Sequence, residues 1–177
     1  MAALALTSPI LGPPRVDWPA AAEVFRARNR GGYSGDEVTA IVWAYCTFAP
    51  TVVLDPLVPL SQLALETGWL SSWWSAPGRH NPAGIGVTGE PGAGVIFPSW
   101  LDSVRAHMGR LIAYAHKPGQ DSPRQALLVA EALSWRSLPL DRRGIAPRVG
   151  DLAGRWAADR RYGEGLVRMS AAIVAGI

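Results

Sequence analysis

Cysteine is almost absent from this 177-residue chain. Cys46 stands alone, so no intramolecular disulfide can form, and its place in the apolar run "IVWAYCTFAP" marks it as a small buried hydrophobe. Histidine is nearly as scarce. His80, His107 and His116, with one cysteine and no H-E-x-x-H pattern, give no metal constellation, and no cofactor is expected. Long apolar runs are missing too, apart from 17 uncharged residues between Val38 and Leu54. Pro50 interrupts that run, three threonines and a tyrosine dilute it, and Asp55-Pro56 ends it, so it reads as a core helix followed by a turn rather than a membrane span. Charge is not gathered into one sign: 17 basic and 14 acidic residues give +3, and the arginines are scattered, as in "RARNR" and "DRRY". Without a basic stripe, the expectation is a solvated surface and no nucleic-acid partner. The start, "MAALALTSPILGPP", has no basic leader and too short an apolar segment for a signal peptide. No repeat or low-complexity tract is present.

What the chain does have is length for one domain, 1–177, burying roughly two-thirds of its unfolded surface without staples. It also has eight tryptophans, a residue suited to holding flat ligands and sugars. The punctuation predicts short helices joined by Pro/Gly loops. Asp17 is placed to cap "WPAAAEVFRARN", which Gly31-Gly32 closes. "SGDE", Ser34 to Glu37, has the spacing of a capping box ahead of a helix to about Ala49. Asp55-Pro56 opens a helix over about 56–66, and Gly68 suits the left-handed residue just past its end. Ser99 and Asp102 cap a helix to about His116, and Ser122-Pro123 opens another to about Trp135. "EGLVRMSAAIVA" is the last helix, and "SLPLDRRGIAPRVG" the loop before it. Between Trp69 and Phe97, glycines and prolines exclude a helix and predict loops with a small hairpin around "GVTGEPGAGVIF". The fold class expected is mainly α, with a small β-hairpin lobe beside a cleft.

One residue is out of place in this scheme. Glu66 falls in the last turn of its helix, where the dipole disfavours an anion, and Trp69, Trp73 and Trp74 come soon after it. The negative helix end and apolar neighbours both raise a carboxyl pKa, which makes a proton donor near neutral pH. Glycoside cleavage needs such a donor, because the leaving sugar oxygen must be protonated as an oxocarbenium-like centre develops. A solvated last-turn glutamate is the plain alternative.

The segments "LSQLALETGWLSSWW", "HNPAGIGVTG", "FPSWLDSVRAH" and "DLAGRWAADRRYGEGLVRMSAAI" together resemble the glucosaminidase family of peptidoglycan hydrolases, glycoside hydrolase family 73, lysozyme-like in fold. The match covers about 55–116 well and 151–174 more loosely; residues 1–54 match no motif and are expected to be helical. The resemblance implies that Glu66 is the general acid and that Gly68-Trp69 forms the turn presenting it. Asn81 to Gly86, including Gly84 and Ile85, would shape the cleft floor. The acid of the middle lobe, Glu90, is the second catalytic candidate. Tyr162, at the last tyrosine of the family's late segment, is the third. Trp156 stands where that segment has its first tyrosine, Ala158 where it has threonine and Arg160 where it has proline.

Around these, Trp69, Trp73, Trp74, His80 and Trp156 are candidate substrate contacts, with core packing or a solvated loop tip as the alternatives. The resemblance further implies an endo-acting enzyme cutting β-1,4 bonds of bacterial peptidoglycan, acting at the cell wall as a monomer without stable membrane insertion. The lack of a leader points to a phage lysin, a virion-associated enzyme or a domain cut from a secreted protein. A lytic transglycosylase or muramidase of similar fold, and a non-catalytic wall-binding or virion structural domain, are the rivals.

Overall fold

The computed structural model describes every residue except Gly89 and Pro91. Among the described residues six α-helices succeed one another: α1 Trp18–Arg28, α2 Gly35–Phe48, α3 Leu57–Thr67, α4 Trp100–Ala115, α5 Pro123–Trp135 and α6 Tyr162–Ala175. Their ends obey local chemistry. α2 begins with a complete capping box, Ser34 accepting from the Glu37 N–H while the Glu37 carboxylate accepts from Ser34. Ser122 and Gln125 do the same for α5, and Ser99 caps α4 through the Asp102 N–H. Asp17 sits at the start of α1 but makes no capping bond. At α3 the Asp55 carboxylate accepts from the Leu57 N–H, and Gly68 closes the far end in the left-handed region at φ 56°.

Helix α3 is the centre of the molecule. It carries no charge before Glu66, and every residue from Leu57 to Ala64 is buried. It packs against α6 and, more lightly, against α2 and α4; α1 lies along α2, and α4 along α5. The α4–α5 approach depends on Gly109, where any Cβ would collide with the Leu128 carbonyl. The motif-less N-terminal segment is built into this core. Leu4 donates its N–H to Ser170 Oγ of α6, the Ser8 carbonyl accepts from Val149, and Ile10 is fully buried.

The segment between α3 and α4 corrects the expected hairpin. Among the described residues there is no strand, only isolated bridges elsewhere in the chain, and the two limbs around residues 85–95 share the single bond Val95 N–H to Ile85 carbonyl. Gly84, Gly86, Gly92 and Gly94 all take positive φ, which turns the backbone out of the extended conformation too often for a ladder to propagate. The loop is nonetheless anchored: Ala83, Ile85 and Phe97 bury against Ala106 of α4 in a second small core.

Candidate active site

Glu66 emerges from the last turn of α3, half-buried, and its position is set by the turn immediately C-terminal to it. Gly68, Trp69 and Leu70 are three successive left-handed residues, at φ 56°, 61° and 68°. For non-glycine residues each such conformation costs about 1–2 kcal/mol. Thr67 holds the turn, its hydroxyl accepting from the Leu70 N–H at 2.7 Å while the Thr67 carbonyl accepts from Ser71 and Ser72. Strain of this kind, braced by buried bonds, fixes the chain leaving α3 and with it the final helical turn.

The carboxyl meets residues from three other segments. Tyr162, the first residue of α6 and 96 positions away, donates its hydroxyl to Glu66 Oε1 at 2.6 Å. Gly84, at φ 61°, comes so close to Oε2 that a Cβ there would lie 3.5 Å from it. Trp156 stands on a further side, its ring 5.6 Å from that of His107 and 5.5 Å from that of Tyr114. Burial lifts the Glu66 pKa above its ordinary 4.5, against the opposing pull of hydrogen bonding from Tyr162 and Trp156. The Tyr162 phenol is pushed well above 10 by burial and by the Glu66 charge, so it stays a donor.

Behind Tyr162 runs a line of buried side chains. Gln62 Nε2 donates to the Tyr162 hydroxyl at 2.9 Å, His107 Nε2 lies 2.9 Å from Gln62 Oε1, and the Tyr45 hydroxyl lies 2.9 Å from His107 Nδ1. The donor inventory orients the whole line. An ionised carboxylate only accepts, so Tyr162 donates to it; the Tyr162 oxygen then accepts from the Gln62 amide, and Gln62 Oε1 accepts from His107. His107 is therefore the Nε2–H tautomer, with Nδ1 accepting from Tyr45, and its burial drops its pKa to about 3, keeping it neutral. Every bond points toward Glu66 Oε1. When Glu66 is protonated its proton accordingly sits on Oε2, the oxygen facing Gly84.

The remaining expected site residues divide between the loop, the fold and the surface. Asn81 is fully buried and spent on the turn: its Nδ2 donates to the Ile85 and Val95 carbonyls, and its Oδ1 accepts from the Ile85 N–H. It shapes the floor from beneath. His80 likewise braces the loop, Nδ1 donating to the Phe97 carbonyl at 2.9 Å. Ile85 is buried in the second core. Trp69 packs edge-on against Phe25 with the Arg28 guanidinium 4.7 Å from its ring, so it serves the α1 side of the fold. Trp73 is exposed beneath Arg79, and Trp74 is half-buried beside it with a buried Nε1 that finds no hydrogen-bond partner among the described residues. Glu90 is exposed, bonds through its N–H to Thr88, and is joined by no hydrogen bond or ion pair to Glu66 or Tyr162.

Sequence reasoning does not reach Gln62, His107 and Tyr45. Gln62 does carry a signal: it is a polar side chain in an apolar helix, one turn before Glu66 and on the same face. His107 and Tyr45 lie 45 and 62 positions from their partners, and nothing local marks them. Among the described residues, no group of histidine, cysteine and acidic side chains gathers as a metal would require, and no helix is long and apolar enough to cross a membrane.

Against known proteins, no family model matches the chain. An uncharacterized protein of Borreliella burgdorferi is 31% identical over 117 residues, which is 63% of this chain and 51% of that protein, so the match spans about half the relative's length. Two solved structures are similar in overall chain path. The catalytic domain of the autolysin Auto from Listeria monocytogenes has a TM-score of 0.49 at 17% identity, covering 89% of this chain and 88% of its own. Autolysin E of S. aureus, in complex with the muropeptide NAM-L-Ala-D-iGlu, has a TM-score of 0.47 at 12% identity, covering 98% and 74%.

Proposed function

We propose that this chain is a peptidoglycan hydrolase of the endo-N-acetylglucosaminidase type, cutting a β-1,4 bond of the bacterial wall glycan with Glu66 as general acid. The observation that carries the reading is the setting of Glu66: a half-buried carboxyl at a helix end, its pKa raised by burial, with one oxygen held by Tyr162 and the other turned toward the Gly84 loop. In the reaction, Glu66 Oε2 gives its proton to the bridging oxygen as the bond from that oxygen to the anomeric carbon breaks. The electron pair of the broken bond stays with the leaving sugar. The new carboxylate is met by the Tyr162 hydroxyl already aimed at Oε1, so charge develops against a donor that need not reorganise. Gln62, His107 and Tyr45 hold that donor in its direction.

With Glu90 exposed and unconnected to Glu66, attack on the other face is best supplied by the substrate's own N-acetyl group, which needs no second carboxylate. The same observation favours one rival, a lytic transglycosylase, which works with a single acid and closes an anhydro ring in place of adding water. Mass spectrometry of fragments released from purified wall tests the reading. Fragments ending in reducing N-acetylglucosamine are expected; reducing muramic ends, anhydro ends lacking the elements of water, or no release at all would each replace it with a named alternative.

A further inference from the structure

Next to Glu66 lies a polar cavity of about 180 Å³ whose walls include Gly84, Gly86, Tyr114 and Trp156 together with two arginines, Arg110 of α4 and Arg136 just past α5. Gly84 and Trp156 line this cavity and also border the Glu66 carboxyl, so the two are neighbours. The arginines are held there by built contacts. Arg110 Nη1 donates to the Arg136 carbonyl at 2.9 Å, and Arg136 Nη1 passes so near Gly86 that a Cβ on that glycine would lie 3.3 Å away.

Neither arginine has an acidic partner among the described residues, although Arg15, Arg105, Arg143, Arg155 and Arg161 each do. Surface arginines need no partner, but half-buried Arg110 is penalised first by desolvation and then by the Arg136 charge, offset only in part by Tyr114, whose ring lies 5.8 Å from its guanidinium. A planar two-oxygen anion would satisfy both forks at once.

We infer that the Arg110–Arg136 cavity is a subsite for a carboxylate carried by the wall glycan beside the bond that is cut. This rests on the reading of the chain as a glycan hydrolase and adds what that reading lacks, a reason for selecting wall glycan over uncharged β-1,4 polymers of the same sugar. Such a carboxylate has two sources. One is the peptide stem; the other is the lactyl ether exposed when the stem is removed.

The test is titration calorimetry on the Glu66→Gln protein, with and without Arg136→Gln. Three probes, freed of phosphate polymers, are compared: soluble wall glycan fragments with intact stems, the same fragments with every carboxylate converted to methylamide, and fragments stripped of stems. Arg136 is exposed, so its substitution leaves the core untouched. The expected result is that a carboxylate-bearing probe, intact or stripped, binds about tenfold or more tightly than the methylamides, and that Arg136→Gln removes this preference while leaving affinity for the neutral fragments unchanged. A preference for the intact fragments over the methylamides assigns the stem, because their lactyl carboxyl is itself an amide, and a preference for the stripped fragments alone assigns the lactyl group. Equal affinity for charged and neutral fragments, or a preference that survives Arg136→Gln, overturns the subsite alone. Absence of binding to all three overturns the subsite and the glycan reading together, and release of reducing ends by the Glu66→Gln protein in the same samples overturns the role of Glu66 separately.

Discussion

Replacing Tyr162 by phenylalanine removes one oxygen and leaves two buried groups unmatched, Glu66 Oε1 and the Gln62 amide that donated to the phenol. The lost bond to a charged acceptor lies in the class worth about 1.5–3 kcal/mol, and a donor aimed at developing charge is worth roughly tenfold to a thousandfold in rate. Direction in pH separates this account from simple damage. The Tyr162 bond stabilises ionised Glu66 and so lowers its pKa against the lift from burial. Without it the pKa rises further: more of the enzyme holds its proton near neutral pH, and each molecule gives it up less readily. The plateau of kcat/KM on soluble wall glycan should therefore fall by roughly ten- to a thousandfold, while the basic limb of the pH profile moves to higher pH. Gln62→Leu should move the limb the same way by less, since it loosens the donor without removing it. A Tyr162→Phe enzyme within twofold of wild type, or a lowered plateau with an unmoved basic limb, would refute the reasoning.

Glu66→Gln should stabilise the fold at neutral pH. Burial raises the folded pKa above the unfolded value, so Glu66 favours folding fully below about 4.5 and loses that contribution as pH rises through the folded pKa. The melting temperature of the variant should exceed wild type at pH 8 and match it at pH 4, and equal values at both would refute the assigned burial effect. Glu90→Gln, changing an exposed loop acid with no bond to the site, should reduce turnover far less than Glu66→Gln; comparable losses would require a second carboxylate and a positioned water. Thr67→Val keeps the shape of a buried side chain but orphans the Leu70 N–H in a left-handed turn, a cost of about 1–3 kcal/mol read by thermal unfolding. An unchanged melting temperature would mean that the turn does not depend on that hydroxyl.

The parts of this molecule that can be read from sequence are those decided within a few residues. Ser34 with Glu37 and Ser122 with Gln125 announce helix starts, because both halves of each bond lie within one turn. Gly68 announces the end of α3 because no Cβ opposes its φ. The middle loop misleads for an equally local reason: its glycines and prolines exclude a helix and suggest loops with a small hairpin, while Gly84, Gly86, Gly92 and Gly94 all bend the backbone through positive φ. The site itself is a tertiary object. Glu66 stands out by its wrong charge at a helix end and Tyr162 by family resemblance, but the line from Tyr45 through His107 to Gln62 joins three helices and exists only after they pack. The two arginines of the neighbouring cavity, 26 positions apart, are invisible in sequence for the same reason.

The claim on which the rest depends is that Glu66 supplies the proton, and the most direct measurement is wall lysis by Glu66→Gln beside wild type, with sedimentation of both on intact wall as the control for binding. The amide is nearly isosteric and still accepts from Tyr162, but it has no proton to give. The account predicts unchanged binding with lysis reduced by roughly a thousandfold or more; lysis by the variant within about tenfold of wild type would contradict it.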